Sequence, residues 1–323
     1  MQVDEPVRLP RLSRAAVCGG THGNELSGVY LVREMLKPEN RKEDGGPASL
    51  LMLLSNPRAV QQCTRYVDTD LNRCFTHLFI GKSQKGAPYE IFRARELNNL
   101  LGPKGSRAAV DLICDLHNTT ANMGLCFIAY SDCDWVCLHI FRHLQKQMPD
   151  TPMRFIHFDV STKESYSLDS IGKHGFAMEI GPQPHGCIKS NIYTAMREGV
   201  QHMRDWVSCF NSGESNKCYF LLMENINSFK TSKCFLSQDR DFCLLRPGEP
   251  LFQTFSGETV KYQGAEALYA FFINECAYYK KGIALSLARK RRVSVPSIRC
   301  VYFLQIYLYL SIDVKLHEYS GYD

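Results

Sequence analysis

Near its N-terminus the chain contains the sequence Cys18-Gly19-Gly20-Thr21-His22-Gly23-Asn24-Glu25. The apolar run at 15–18 predicts a buried strand, and the helical spacing of apolar residues at 26–36 predicts an amphipathic helix after it. His22 and Glu25 therefore lie on a glycine-rich turn between a strand and a helix. α/β proteins place their chemistry at such turns, beyond the carboxyl ends of parallel strands.

His22 and Glu25 are two candidate ligands for a catalytic zinc ion. Zinc accepts imidazole nitrogen and carboxylate oxygen, and its catalytic sites have three protein ligands and one open position. His117 follows a second apolar run, at 109–116, so parallel strands that end at one sheet edge would bring the three residues together. Glu179 is the candidate base, because it interrupts an apolar strand at 175–181, where burial would raise its pKa.

Each of these residues also has an ordinary structural interpretation. The pattern His-x-x-Glu is common by chance, His117 alone could cap a strand or fill a core, and Glu179 could pair with a lysine at a sheet edge. Arg65 and Arg73, in the polar segment 63–73, could be surface ion-pair partners, which contribute little to stability. Spacing alone leaves the catalytic and the structural interpretations open.

The composition is that of a globular protein with 323 residues, enough for a large core and for two domains. The net charge is +5, but the basic residues are scattered, which predicts no nucleic-acid partner. The polar segment 1–14 predicts no secretory signal, and no apolar run before residue 300 is long enough to span a bilayer. The 14 cysteines form no C-x-x-C pair, which predicts reduced thiols in the cytoplasm.

The remaining pattern predicts alternating strands and helices up to residue 210, followed by short strands. A turn is predicted at Asn56-Pro57-Arg58. The strands are predicted at 49–54, 125–130 and 153–158, and the helices at 89–101, 134–147 and 192–210. Beyond 211, apolar runs at 219–223, 251–255, 260–262 and 268–273 predict a smaller β-rich domain.

Four motifs, in this order, resemble the aspartoacylase family of zinc amidohydrolases. They are Gly19-Gly20-Thr21-His22-Gly23-Asn24-Glu25, Asp70-Leu71-Asn72-Arg73, Asp115-Leu116-His117-Asn118-Thr119-Thr120 and Glu179-Ile180-Gly181-Pro182-Gln183-Pro184. The resemblance covers 15–210, resumes at 238–242 and continues through 272–279. The segment 164–170 is more similar to the branch of the family that acts on N-acyl aromatic amino acids than to aspartoacylase.

The resemblance implies a carboxypeptidase-like α/β zinc hydrolase domain with a mixed central sheet, plus a smaller C-terminal β-rich domain that walls the substrate channel. It implies one zinc ion per chain, held by His22, Glu25 and His117, with Glu179 as general base. The implied reaction is the hydrolysis of an N-acyl amino acid to a carboxylate and a free amino acid. The family also implies a homo-oligomer.

The resemblance further assigns the substrate contacts. Arg65 matches an arginine that polarises the scissile carbonyl and stabilises its oxyanion. Asn72 and Arg73 match the pair that holds the α-carboxylate of the substrate, for which a guanidinium fork is suited. Tyr278 matches a substrate-contacting tyrosine contributed by the second domain.

Asp169 occupies the place of an arginine that, in aspartoacylase, pairs with the second carboxylate of the substrate. Two like charges at about 5 Å repel by roughly 3 kcal/mol at an effective dielectric of about 20. This predicts a preference for aromatic and other neutral side chains over N-acetyl-aspartate. In the alternative interpretation, Asp169 points to solvent and caps a helix that begins at Ser170.

We predict domains at 1–210 and 211–288 and a divergent tail at 289–323. Residues 210–238 do not match the family, so part of the second domain is expected to be remodelled or missing. The tail contains a basic run at 289–292 and an apolar run at 301–310, which is too short to span a bilayer and predicts a strand or a tail foreign to the family. Two alternative functions remain: a metallo-carboxypeptidase-like exopeptidase and a non-catalytic interaction protein.

Overall fold

The computed structural model describes residues 5–38, 48–81, 86–161, 163–213, 218–230, 234–235 and 240–301. The described strands up to residue 230 are β1 (Val7–Pro10), β2 (Arg14–Gly19), β3 (Ser49–Leu54), β4 (Leu112–Asn118), β5 (Gly124–Ala129), β6 (Met153–Phe158), β7 (His174–Gly181) and β8 (Cys218–Lys230). The later described strands are β9 (Cys234–Phe235), β10 (Cys243–Leu245), β11 (Pro250–Gln253), β12 (Thr259–Lys261), β13 (Leu268–Phe271), β14 (Ile283–Val295) and β15 (Ile298–Val301).

The described α-helices are α1 (Leu26–Met35), α2 (Pro57–Gln62), α3 (His77–Gly81), α4 (Tyr89–Leu101), α5 (Trp135–Gln147) and α6 (Ser190–Asn211). Short 3₁₀ helices lie at Leu71–Arg73, Leu168–Ile171 and Cys276–Lys281. The helices predicted at 89–101, 134–147 and 192–210 are confirmed to within two residues at each end. For α5 the N-terminus is fixed by Asp134, whose carboxylate accepts a hydrogen bond from the Cys137 amide.

A single mixed sheet organises the molecule, with strands in the order β10-β13-β14-β8-β6-β5-β7-β4-β2-β3. Strands β3, β2, β4 and β7 run parallel to one another, whereas β5, on the other side of β7, is antiparallel to it. Because β2 and β4 are adjacent and parallel, the residues that follow them meet at one edge of the sheet, as the sequence predicts. Helices α1, α5 and α6 supply part of the core on one face, and α4 contributes to a second core on the other.

The predicted turn at Asn56-Pro57-Arg58 is wrong, because helix α2 begins there. Asn56 is the N-cap, and its side-chain oxygen accepts a hydrogen bond from the Ala59 amide at 3.4 Å. Pro57 occupies the first helical position, where its missing N–H costs no hydrogen bond. The Asn-Pro pair therefore begins a helix. The sequence does not reveal it, because six residues are too few to show a repeating apolar pattern.

The strands beyond residue 211 extend the central sheet as well as forming a small core of their own. Strand β8 pairs in parallel with β6, and β14 pairs along the length of β8. Strands β9, β11 and β12 form a separate three-stranded sheet. A cluster of buried side chains that includes Leu251, Phe252 and Leu285 fills the space under these strands.

The predicted tail boundary at 288/289 falls inside β14, so the basic run is part of the sheet. The exposed Arg289 and Arg291 pair with Glu266 and Asp132, which keeps their charges at the surface. After β14 the chain turns into β15, which pairs in parallel with β1. Of the apolar run at 301–310, Val301 ends β15 and the rest lies outside the described residues. No helix in the described segments has the length and apolar character needed to cross a membrane.

Candidate functional site

The site is built at the carboxyl ends of β2 and β4. The turn after β2 is tight, because Gly20 has φ +71 and a side chain at Gly23 would overlap the backbone of Ala59. This turn carries His22 and Glu25 toward the end of β4, where His117 lies. The three side chains are buried, and their ligand atoms lie within 4.8 Å of one another.

The two imidazoles face each other through their Nδ1 atoms, which are 3.2 Å apart. Glu25 lies against both of them, with Oε1 at 2.7 Å from Nδ1 of His22 and Oε2 at 2.9 Å from Nδ1 of His117. The far nitrogens are held by carboxylates. Nε2 of His22 lies 3.0 Å from Asp70, and Nε2 of His117 lies 2.8 Å from Asp115.

This arrangement fits a metal cation. With Nε2 donating its proton to the aspartate, a neutral imidazole at either position would turn the lone pair of Nδ1 inward. Two lone pairs and a carboxylate at these distances repel one another unless a positive charge lies between them. Burial lowers the pKa of His117, but Asp115 and Glu25 outweigh it and raise that pKa well above its usual range. A proton and a metal therefore compete for the same nitrogen.

Glu179 lies on β7 beside the cluster of His22, Glu25 and His117, and it is the register partner of His117. Strand β7 is central, between β4 and β5, so the sheet-edge alternative for Glu179 is wrong. Burial raises the pKa of Glu179 to about 8, against the opposing effect of His117. A carboxyl group with a raised pKa, next to three converging ligands, is suited to accept and return a proton.

Arg65 bridges two carboxylates of the cluster. Its Nη1 donates to Glu25 at 3.2 Å, and its Nη2 donates to Asp70 at 3.5 Å. Burial lowers the pKa of Arg65, but Glu25 and Asp70 outweigh this effect and raise it. The surface ion-pair alternative is therefore wrong for Arg65, whose side chain is 18% exposed and lines the pocket.

Asn72 and Arg73 lie side by side in the pocket wall, in the 3₁₀ helix Leu71–Arg73. Oδ1 of Asn72 accepts a hydrogen bond from the Leu168 amide at 3.0 Å, which orients the side-chain amide. The Arg73 guanidinium packs over the Tyr166 ring at 4.7 Å, and its Nη1 donates to the Asn72 carbonyl at 2.8 Å. Burial lowers the pKa of Arg73, but Tyr278 and Asp70 outweigh this effect and raise it. Arg73 therefore is also no surface ion-pair partner.

Tyr278 reaches the same pocket from the C-terminal part of the chain, in the 3₁₀ helix Cys276–Lys281. Burial raises the pKa of its phenol to about 12, whereas Arg73 and Arg65 lower it. Its ring packs edge-on against Phe272 at 5.5 Å. The residues predicted to bind metal, to catalyse and to contact substrate thus all line one pocket of about 650 Å³, which includes the space at its mouth.

Asp169 is buried in this pocket wall, with 2% of its surface exposed, so the solvent-facing alternative is wrong. The 3₁₀ helix that contains it begins at Leu168, two residues before the Ser170 start that a cap at Asp169 requires. Its Oδ1 accepts a hydrogen bond from the Ser167 hydroxyl. Burial raises the pKa of Asp169 to about 6, and Ser167 opposes that rise.

Glu275 is the principal site residue that the sequence pattern does not identify. It is buried, and its Oε2 accepts hydrogen bonds from the hydroxyl of Thr119 and from the amide and hydroxyl of Thr120 at 2.8 Å and 3.0 Å. Its Oε1 accepts from the Ala277 amide at 3.0 Å. Glu275 therefore ties the loop after His117 to the 3₁₀ helix that carries Tyr278.

Asp70 and Asp115 lie inside the quoted motifs, but their role as imidazole partners is visible only in the structure. An acidic residue two positions before His117 was the available signal, because side chains two apart lie on the same face of a strand. The apolar part of the pocket was also not predicted. It is lined by Ile128, Phe158, Ala177 and Phe272, which come from three strands and a loop.

Comparison with known proteins supports this description of the fold. The family described as succinylglutamate desuccinylase/aspartoacylase catalytic domain matches residues 11–207, and the AstE/AspA barrel-sandwich hybrid domain matches residues 226–290. The structure of murine aminoacylase 3 superposes with a TM-score of 0.85 at 41% identity, covering 90% of this chain and 99% of that one.

Two similar sequences carry the name N-acyl-aromatic-L-amino acid amidohydrolase (carboxylate-forming). Form B from Danio rerio is 49% identical over 307 residues, 91% of this chain and 98% of the relative. The protein from Homo sapiens is 43% identical over 305 residues, 91% of this chain and 95% of the relative. With its catalytic part matched over 11–207 and such relatives along nine tenths of its length, the chain belongs to the succinylglutamate desuccinylase/aspartoacylase family.

Proposed function

We propose that this chain is a zinc-dependent amidohydrolase that removes the acyl group from N-acyl amino acids and prefers aromatic or neutral side chains to N-acetyl-aspartate. One observation carries the proposal: Glu179 lies in register beside His117, within a pocket that also holds His22 and Glu25. The relatives named for hydrolysis of N-acyl-aromatic amino acids support the same reaction.

His22, Glu25 and His117 are the proposed zinc ligands. Two imidazole nitrogens and one carboxylate are a ligand set that zinc accepts, and they leave a fourth position open. Asp70 and Asp115 fix the tautomer and orientation of the two histidines through their Nε2 atoms. A zinc ion bound here would lower the pKa of a water molecule and polarise the carbonyl group of the substrate.

Glu179 moves the proton in this proposal. Its carboxylate takes a proton from the attacking water, whose oxygen forms the new bond to the acyl carbon. The same carboxyl group then returns the proton to the amide nitrogen as the C–N bond breaks, which gives a carboxylate and a free amino acid. Its half-buried position on β7 keeps its pKa raised and close to the working range for both transfers.

The cationic side chains orient the substrate. Arg65 lies next to the ligand Glu25, where its guanidinium can donate to the negative charge that develops on the carbonyl oxygen. Arg73 and Asn72 lie together further along the wall and are proposed to hold the α-carboxylate. Tyr278 closes this side of the pocket, with its phenol near both arginines.

Asp169 is proposed to disfavour acidic substrates. A second carboxylate in the substrate would share the buried pocket with that of Asp169, and like charges in such surroundings repel. A neutral ring gains instead from burial against Ile128 and Phe158. The exopeptidase and interaction-protein alternatives have no observation in the structure that favours them.

The experiment that tests this function is a hydrolysis panel of N-acetyl amino acids, with zinc measured in the same preparation. We expect about one zinc ion per chain and a higher kcat/KM for N-acetyl-tyrosine and N-acetyl-phenylalanine than for N-acetyl-aspartate. Faster turnover of N-acetyl-aspartate would contradict the selectivity. Absence of turnover by zinc-loaded protein would refute the amidohydrolase. The cytoplasmic location and the homo-oligomer stay predictions.

A further inference from the structure

The carboxylate of Asp169 is a buried acceptor at one end of the substrate pocket. Among the described residues, the side chain that donates to it is the hydroxyl of Ser167, which bonds Oδ1. The Tyr130 phenol lies beside the same hydroxyl, so Ser167 stands between Tyr130 and Asp169. A buried carboxylate has room for several hydrogen bonds and is costly when they are not made.

The positions of Gly175 and Glu179 on strand β7 indicate how far the Asp169 carboxylate lies from the proposed base. Glu179, Ala177 and Gly175 lie on one face of β7, because alternate residues of a strand share a face. Asp169 packs against the Gly175 end, since a side chain at Gly175 would overlap its backbone and Cβ. Glu179 lies four positions after Gly175 on the strand, which places their backbones roughly 13 Å apart.

The wall between these two ends is apolar and aromatic. Ala177 is the register partner of Ile128 on β5, so two aliphatic side chains form the floor midway between Glu179 and Asp169. The rings of Tyr130 and Tyr166 line the same pocket and meet edge-on, with their centroids 5.7 Å apart. The pocket thus has a catalytic end, an apolar middle and the Asp169 carboxylate at the end near Gly175.

We infer that Asp169 selects substrates whose aromatic side chain ends in a hydrogen-bond donor, with the phenol of an N-acyl-tyrosine as the chemistry that fits. This inference rests on the proposed amidohydrolase function and specifies its substrate. An aromatic ring fills the apolar middle, and its para hydroxyl reaches the carboxylate. An ammonium group would bring a strongly hydrated charge past the same apolar wall, which is unfavourable.

The expected size of the preference for a hydroxylated ring follows from the chemistry of the Asp169 carboxylate. A hydrogen bond from a phenol to an ionised carboxylate is stronger than one between neutral groups. A ring without the hydroxyl buries the same apolar area but adds no donor to the carboxylate, which then keeps only its bonds within the protein, such as that from Ser167. We therefore expect a preference for the hydroxylated ring of roughly tenfold or more in kcat/KM.

The test compares three substrates in the zinc-loaded enzyme: N-acetyl-tyrosine, N-acetyl-phenylalanine and N-acetyl-4-methylphenylalanine. The methyl group matches the hydroxyl in size and cannot donate. We expect N-acetyl-tyrosine to exceed both others by about tenfold or more in kcat/KM. Rates within about twofold of one another, or a methyl compound equal to N-acetyl-tyrosine, would overturn the inference. Hydrolysis of all three would still support the amidohydrolase.

Two variants test whether Asp169 is the residue responsible for the preference for N-acetyl-tyrosine. In Asp169→Ala the ratio of N-acetyl-tyrosine to N-acetyl-phenylalanine should fall to about one, because the acceptor is gone. Asp150→Ala, at an exposed turn, is the matched control and should keep the wild-type ratio. A ratio that persists in Asp169→Ala would overturn the assignment. If that variant fails to fold, the wild-type substrate series alone decides. If no N-acyl amino acid is hydrolysed, the proposed function fails as well.

Discussion

At the scale of single residues, the proposed chemistry depends on how each ionisable group is restrained by its neighbours. Glu25 contacts both histidines through its two oxygens and receives a further hydrogen bond from the Asn118 amide at 3.0 Å. Burial raises the pKa of Glu25, but His22 and His117 outweigh it and hold that pKa well below its usual range. Glu25 is therefore an anion that presents oxygen toward both imidazoles.

His117→Ala should abolish zinc binding, because it deletes one of the three proposed ligands and leaves Asp115 without its imidazole partner. Metal content by atomic spectroscopy and turnover of N-acetyl-tyrosine should both be lost. The matched control is His77→Ala, since His77 is exposed and lies apart from the cluster. Full zinc occupancy in His117→Ala would show that the ligand set is wrong.

Arg73 should make the enzyme require a free α-carboxylate. Its guanidinium lies half-buried in the pocket wall over the Tyr166 ring, so a substrate without the carboxylate leaves this cation without its anionic partner. We expect the amide of N-acetyl-tyrosine to be hydrolysed roughly a hundredfold less efficiently than the acid. Equal kcat/KM for acid and amide forms would remove this role from Arg73.

At the scale of structural elements, two contacts hold the pocket together from outside the catalytic groups. Glu275 connects the loop after β4 to the 3₁₀ helix Cys276–Lys281. Lys104 connects the segment around the 3₁₀ helix Leu168–Ile171 to Phe75 through three hydrogen bonds. Each contact joins parts of the chain that are distant in sequence, so each should affect substrate binding and stability together.

Glu275→Gln should loosen the junction between the two parts of the chain. Thr119, Thr120 and Ala277 donate to both oxygens, and the new NH₂ group would face one of these donors. We expect the free energy of unfolding to fall by about 2 kcal/mol and KM to rise, as measured by chemical denaturation and steady-state kinetics. Glu249→Gln, at an exposed ion pair, should change neither. Wild-type KM and stability in Glu275→Gln would contradict this role.

Lys104→Met should displace the segment that carries Tyr166 and Asp169. Its ammonium donates to the carbonyls of Phe75 and Ser165 and to the Ser170 hydroxyl, at 2.9, 2.6 and 2.8 Å. Methionine fills the space and donates nothing, so we expect KM to rise several-fold with a smaller change in kcat. Lys37→Met, at an exposed pair with Glu34, is the control. An unchanged KM in Lys104→Met would show that the segment holds its place without this contact.

At the scale of the whole molecule, the elements predicted from the sequence agree with the structure where a local residue pattern is enough to identify them. The strand, turn and helix around His22 and the strand before His117 are predicted because apolar periodicity and glycine mark them. Contacts between residues that are distant in sequence leave no such local pattern. Glu275 bonds Thr120 over a separation of 155 residues, and β14 continues the sheet through a basic run that resembles a tail. Such pairings depend on sheet order, which no single segment encodes.

The proposed reaction also belongs to this scale, because it needs the metal cluster, the base and the pocket walls at one time. The most direct test is Glu179→Gln, which keeps the shape of the side chain and removes its basicity. The account predicts unchanged zinc content and a loss of N-acetyl-tyrosine turnover by roughly 100-fold or more, because no other group takes the proton. Turnover near the wild-type rate with zinc bound would contradict the central role of Glu179.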